Sequence, residues 1–369
     1  MARPTLSPTN GLARRALKCQ SENRIPVELM LYKVCCFLNR TALVMPKCMK
    51  RSVKLAIVLA YMVFAQQSAA QASNSVDTLA AQDARLAAVS ARLLAGNSHL
   101  CRRHMPITGL VLHSSDQYRG GAAGHAFRNG EVAVEAVVPG SVADISGIKV
   151  NDGISAIAGQ PFTTPGGGLL RDSAYSALAE LADASAIEIT ITREGAEKTI
   201  SFVAPTGCRA LVEVLSDRGI NARSDGRVIQ VSYGLAEAAN DSELAVIFAH
   251  EMGHLVLEHR RRLEAEGVQK GFLGEFGKNR RLNRQVELEA DRIAVHLLAN
   301  AGYDPGIAAS FWRTKLGRRA GGGILRSGIY PSPEARAALS EKEIAEHIAG
   351  RERPSNAEHL MALRDQPFD

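Results

Sequence analysis

The chain has 369 residues, 46% of them apolar, which is enough for two or three domains with real cores. Its formal charge of +6 suggests nucleic acid or a membrane surface as a partner until the charges are located. Residues 1–72 hold 11 Lys and Arg against 2 Asp and Glu, so the rest of the chain is net −3, and the charge argument for nucleic acid falls away.

Residues 1–48 fit no export signal and are expected to be an upstream extension, with translation beginning at Met49. Met49 to Lys54 is a short basic stretch. Leu55–Ala65 is an apolar run too short to span a bilayer comfortably, and Ala70-Gln71-Ala72 is a small-x-small cleavage site. Residues 49–72 therefore read as a signal peptide, and the working protein as exported to the periplasm. A membrane association would come through a partner. Of the six cysteines only Cys101 and Cys208 lie beyond that site, and one disulfide between them suits an oxidising compartment.

Beyond the cleavage site, Leu79, Leu86, Val89 and Leu93 recur at helical spacing, so residues 73–100 predict an amphipathic helix. The texture then changes. ITGLVLHS and EVAVEAVV (131–138) read as strands, SAYSALAELADA as a helix, and IEITITREGAEKTISFVA as a hairpin turning at Glu194-Gly195. Within this β-rich block, PGSVADISGIKVNDGISAIAGQPF resembles the central signature of a PDZ domain, with Gly147 and Asp152 at its fixed positions. The resemblance implies binding of an extended peptide, often a C-terminal tail, as an added strand. The glycine-containing stretch GGAAGHAFRNGE that precedes strand 131–138 departs from the usual carboxylate-binding loop, so a spacer or lid is the other use of this block. Cys101 and Cys208 bracket it, and a bond between them would clamp the two roots of an insertion. The helix at 73–100 would then pack on the block that follows.

In the third block RALVEVLSD reads as helix and GRVIQVSYG as a strand over 227–233, expected to border a cleft. SELAVIFAHEMGHLVLEHRRR reads as one strong helix beginning near Ser242 and Glu243. LNRQVELEADRIAVHLLANAG is a second helix, stopped by Gly302 and Pro305, and DPGIAASFWRTKL a third. Gly321–Gly323 opens a loop. The final turns lie in EARAALSEKEIAEHIA, and the tail from Arg351 is expected to be loose.

The chemistry concentrates in HEMGH. His250 and His254 are one turn apart on one face, a spacing suited to tetrahedral zinc, and Glu251 lies beside them as a base for water. The apolar flank AVIFA would bury the helix, and Gly253 would let another segment cross closely. A third ligand is needed. The position six beyond His254 is Arg260, and His259 would lie roughly 140° round the helix, which makes it a poor ligand. Glu287 and Asp291 in ELEAD share a face of the next long helix: Glu287 to bind the metal, Asp291 to accept a hydrogen bond from a ligand histidine. Glu289 points away from that pair and reads as a solvated or ion-paired residue.

HEMGH, ELEAD and the following DRIAVHLLANAGYDP together closely resemble the M48 family of zinc metallopeptidases, over roughly 209–345. The resemblance implies one Zn2+ per chain held by His250, His254 and Glu287, with Asp291 beside a ligand histidine and Glu251 as the general base. With the signal peptide and the PDZ-like block it resembles the soluble exported branch. A late loop carries Tyr330-Pro331-Ser332-Pro333-Glu334-Ala335-Arg336 where the family has His-Pro and then Arg. A Tyr330 hydroxyl could donate to the oxyanion of a tetrahedral intermediate, and Arg336 could orient the site or hold the carboxylates near Asp291.

The sequence thus implies an α+β protein: a mostly helical zincin-type domain with a small sheet (208–350), a PDZ-like domain (101–207), an N-terminal helix packed on the former (73–100) and a C-terminal tail (351–369). The expected function is a periplasmic zinc endopeptidase cleaving unfolded or misassembled envelope proteins, with a peptide tail as a further partner at the PDZ-like domain and oligomeric state left open. The other reading is a PDZ-like, chaperone-like protein with a gated or inactive zinc site. Nucleic acid is not expected, since Arg260–Arg262 and Lys278, Arg280 and Arg281 lack interleaved aromatics.

Overall fold

The computed structural model describes residues 78–118, 124–163, 167–181, 185–268, 277–320 and 331–368. The upstream extension, the signal peptide, Gly321–Gly323 and Tyr330 lie outside these residues. Among the described residues no helix is long and apolar enough to cross a membrane.

Helix α1 covers 78–96, and the apolar spacing that predicts it faces inward: Leu86 and Leu93 are fully buried, with Val89 and Leu94 beside them. These side chains join the core of the helical block, not that of the β-rich one. Strand β1 (His104–Pro106) follows.

The β-rich block is one sheet of β2 (Leu110–Ser114), β3 (Val132–Val137), β4 (Gly153–Ile157), β5 (Gln160–Pro161), β6 (Ala186–Arg193) and β7 (Ala196–Val203). The order is β2-β3-β4-β6-β7, with β5 beside β4 and every neighbour antiparallel. The β6–β7 hairpin turns at Glu194 and Gly195, both with positive φ (53° and 80°), as a two-residue turn matched to strand twist requires. Short α2 (Val142–Ile145) is capped by the Ser141 side chain, and α3 (Leu170–Ala179) begins three residues before the expected SAYSALAELADA. Alternate residues of the strands, among them Ile187, Ile189 and Ile191, pack with Leu178 of α3 in a separate core. Asp152, from the PDZ-like signature, is buried and paired in two-pronged fashion with Arg193, which also donates to the Gly147 carbonyl.

Strand β8 (Thr206–Cys208) returns to pair with β1, His104 opposite Cys208, and a disulfide joins Cys101 to Cys208 with their Cα atoms 5.5 Å apart. The block therefore leaves and rejoins the chain at one place.

Next comes β9 (Leu211–Leu215), where the sequence reading expected helix. Val212 and Val214 are β-branched, and the segment pairs in parallel with β11 (Val228–Ser232), a long-range partner that overrides a local pattern. β10 (Ala222–Ser224) lies between them in sequence, and the sheet order is β10-β11-β9. The strand expected to border a cleft is thus central, and β10 is the edge.

The helices follow: α4 (Tyr233–Ala238), α5 (Asp241–Val256), α6 (His259–Ala265), α7 (Gly277–Asn300), α8 (Gly306–Arg313), α9 (Lys315–Ala320), α10 (Pro333–His347) and α11 (Glu358–Met361). Helix α5 starts earlier than expected, on a reciprocal cap in which Asn240 and Glu243 each accept from the other's backbone N–H at 3.0 Å. It also stops earlier. The expected single helix breaks at Glu258, whose φ of 52° is left-handed, and α6 starts afresh. Gly302, with φ 76°, follows the end of α7 as anticipated. The tail expected to be loose is packed: Leu360 is fully buried, Arg364 donates to the Leu100 carbonyl, and Asp365 pairs with Arg102.

Candidate metal centre

The front of α5 is apolar almost all round. Leu244, Ala245, Val246, Phe248 and Ala249 are buried, which sinks the helix into the core and carries HEMGH in with it. Gly253 lies where α7 crosses. A Cβ there would sit 2.7 Å from Ile293 Cγ2 and 3.2 Å from the Ala290 Cα, so only glycine permits this approach. The crossing brings Glu287 and Asp291 of α7 against His250 and His254.

Three donor atoms then converge. His250 Nε2 and His254 Nε2 are 3.3 Å apart. Glu287 places Oε2 3.3 Å from the first and Oε1 3.6 Å from the second. A tetrahedral zinc with bonds of about 2.0–2.1 Å separates its ligands by roughly 3.3–3.4 Å, so the residues fit that ion. They line a cavity of about 270 Å³ together with Glu251, Trp312, Arg336 and the edge strand β10.

Electrostatics divides the two histidines. Burial alone lowers the His250 imidazole, but Asp291 and Glu287 outweigh it and raise it to about 10. Burial dominates at His254 and lowers it to about 3, against the pull of Glu287. Glu251 is raised to about 7, mainly by burial, with Glu287 adding and His250 and Arg336 opposing. A carboxyl near neutrality exchanges protons readily at working pH, as a general base must.

Asp291 holds His250 from behind, Oδ1 to Nδ1 at 3.0 Å. Arg336 donates to both Asp291 oxygens at 2.6 Å and stacks on Trp312, its guanidinium 3.5 Å from the ring centroid. Of the two roles open to Arg336 in the sequence, the structure places it on the carboxylate.

Two residues set aside in the sequence stand directly behind the site, on the far side of His254 from the cavity. His259 Nδ1 lies 2.9 Å from His254 Nδ1, and His259 Nε2 lies 3.1 Å from Glu289 Oε2. Glu289 is not solvated: it is buried and also accepts from Arg262 and Gln285. The signal that could have found them is the pair itself, a histidine and an acid that are out of reach of each other only if α5 runs straight on.

A second cluster has histidines and an acid but a different geometry. His296 Nε2 and His359 Nε2 both donate to Glu343 Oε1, at 3.0 and 2.6 Å, while Arg292 donates to Oε2 at 2.6 Å. The shortest contact suits a hydrogen bond and is too close for two ligands of one ion. The cluster clasps α11 to α7 and α10.

Residues 209–276 match the model of Peptidase family M48. The matched segment contains HEMGH, and α7 supplies the acids just beyond it. A stretch of 136 residues is 32% identical to the Mitochondrial metalloendopeptidase OMA1 of Arabidopsis thaliana. That alignment covers 31% of this chain and 27% of the plant protein, so the chain spans about a quarter of that relative's length. The M48 segment and the converging His and Glu side chains agree on a metalloprotease-type site.

Proposed function

We propose that the chain is a zinc-dependent endopeptidase of the cell envelope acting on unfolded or misassembled proteins. The observation that carries this is the convergence of His250, His254 and Glu287 at zinc-ligand spacing, with Glu251 in the same cavity. Zinc held there would supply Lewis acidity at the scissile carbonyl. Glu251 takes the proton of the attacking water as its oxygen bonds to the carbonyl carbon. It then delivers that proton to the amide nitrogen as the C–N bond breaks. Strand β10 is an outer strand of its sheet and lines the cavity, so its backbone can hold an extended peptide by hydrogen bonds, which read no side chain and suit loose specificity for unfolded chains. Tyr330 is assigned the donor to the developing oxyanion. The export signal at 49–72 and the Cys101–Cys208 bond favour the periplasm. The β-rich block, with Gly147 and Asp152 tied together by Arg193, is assigned as a PDZ-like peptide-binding domain.

The experiment compares the purified chain with Glu251→Gln on casein, with zinc measured on both. Cleavage by the parent, with about one zinc in each and a loss of roughly 10²–10⁴-fold in the variant, supports the reading. Equal cleavage by both refutes the role of Glu251. Zinc in both with cleavage in neither favours the chaperone-like alternative.

A further inference from the structure

The Nδ1 atoms of the two candidate ligand histidines are held differently. For His250 the partner is a carboxylate, Asp291. For His254 it is another histidine, and hydrogen counting along that contact has one solution. This rests on the zinc reading above. A ligand nitrogen presents a lone pair, so His254 bound through Nε2 carries its hydrogen on Nδ1. That hydrogen points at His259 Nδ1, 2.9 Å away, which must then be the acceptor. His259, neutral, carries its own hydrogen on Nε2 and donates it to Glu289 Oε2 at 3.1 Å. Glu289 receives two further donors, Arg262 and Gln285. Both imidazole hydrogens along this path have acceptors. The opposite tautomer at His259 sets two N–H groups face to face and turns a lone pair onto a carboxylate.

We infer that His259 and Glu289 are positioning residues that fix His254 as a neutral ligand bound through Nε2. The chain His254–His259–Glu289–Arg262 parallels His250–Asp291–Arg336. Each ends in an α7 carboxylate gripped by a buried arginine. His259, Glu289 and Arg262 are between 1% and 4% exposed, so water cannot substitute for a missing member. The break at Glu258 is what makes the contact. A straight helix would turn His259 away from His254 by about 140°, whereas the left-handed residue starts α6 on a new axis.

The test uses the full chain. In the zinc-loaded parent, ¹⁵N-histidine NMR reads the His259 tautomer, and the rate of zinc transfer to a chelator is measured for parent, His259→Asn, His259→Leu and Glu289→Gln. The expected tautomer is Nε2–H. His259→Leu should weaken zinc binding about 10–100-fold. His259→Asn keeps an acceptor for His254 and should recover part of that loss. Glu289→Gln exchanges one acceptor oxygen for a donor and should fall between. An Nδ1–H tautomer at His259, or a folded His259→Leu with parental zinc retention, overturns the relay. A variant that does not fold leaves the parent's tautomer as the deciding result. A parent that binds zinc without cleaving casein damages the peptidase reading alone, and a parent that binds no zinc defeats both.

Discussion

Asp291 is shared between His250 and Arg336: one of its oxygens meets the imidazole Nδ1 at 3.0 Å, and both meet the guanidinium at 2.6 Å. The carboxylate therefore neutralises a buried arginine while it aims a candidate ligand. Asp291→Asn should do two kinds of damage. Zinc affinity should fall about 10–100-fold as His250 loses its orientation. Stability should fall by about 1–3 kcal/mol, because the buried Arg336 loses the charge on the carboxylate that holds it, while Glu251 and Glu287 still act on it. Chelator competition and urea denaturation measure the two separately. A variant with parental values in both would show that Asp291 is dispensable.

Gly253→Ala tests the α5–α7 crossing. On an open helix this change stabilises by about 1 kcal/mol. Here the new methyl meets Ile293 and the α7 backbone. The sign should therefore reverse, with a loss of about 1–3 kcal/mol. Glu287 moves with α7, so zinc retention should drop as well. Denaturation midpoints and zinc content check both points, and a stabilised variant would rule out the tight crossing.

The junction of α1 with β9 predicts a pH dependence. Asp83 accepts the Val214 N–H at 2.7 Å, and burial followed by the charge of Glu135 raises its carboxyl from 3.8 to about 8. Arg171 and the Val214 amide oppose the rise, and Glu213 adds to it. Burial also raises Glu135, from 4.5 to about 6. A raised carboxyl keeps its proton in the folded state after the unfolded chain has released it. The stability this gives is complete below the unfolded value and is lost as pH climbs through the folded one. Stability should therefore decline between about pH 4 and 8, and above about 6 Asp83 shares the decline with Glu251, raised to about 7, and His250, raised to about 10. Asp83→Asn keeps the acceptor for Val214 and should make that upper part shallower. Denaturation curves at pH 5, 6, 7 and 8 decide it.

The Cys101–Cys208 bond closes a loop of 107 residues in sequence separation. Chain entropy sets its worth at up to about 4–5 kcal/mol, and the β1–β8 pairing beside it holds the same ends without it. Replacing both cysteines by serine should lower the thermal midpoint and leave zinc content unchanged. Loss of zinc would mean that the bond shapes the metal centre directly.

The ligand faces were legible because helical geometry is local. His250 with His254, and Glu287 with Asp291, are each four apart, and that spacing alone sets a common face. The Glu194-Gly195 turn was legible for the same reason. Two features were not. Leu211–Leu215 becomes a strand through a parallel partner that begins 17 residues later, and no window around RALVEVLSD contains it. Neither Gly nor Pro stands at residues 257–259, and Glu258 adopts its left-handed turn without either. The contact of His259 with His254 depends on that turn and was missed with it, whereas the face shared by Glu287 and Asp291 on α7 was not affected.

The pairing of β1 with β8 also governs what happens when the chain is cut. A single proteolytic nick inside the β-rich block would leave the α1 half and the α5 half joined by sulfur and interleaved in one hydrophobic core. Such a clipped molecule would migrate as one species until reductant is added and as two afterwards. Damage to the β-rich block would then be invisible to any assay that reads only the candidate metal centre.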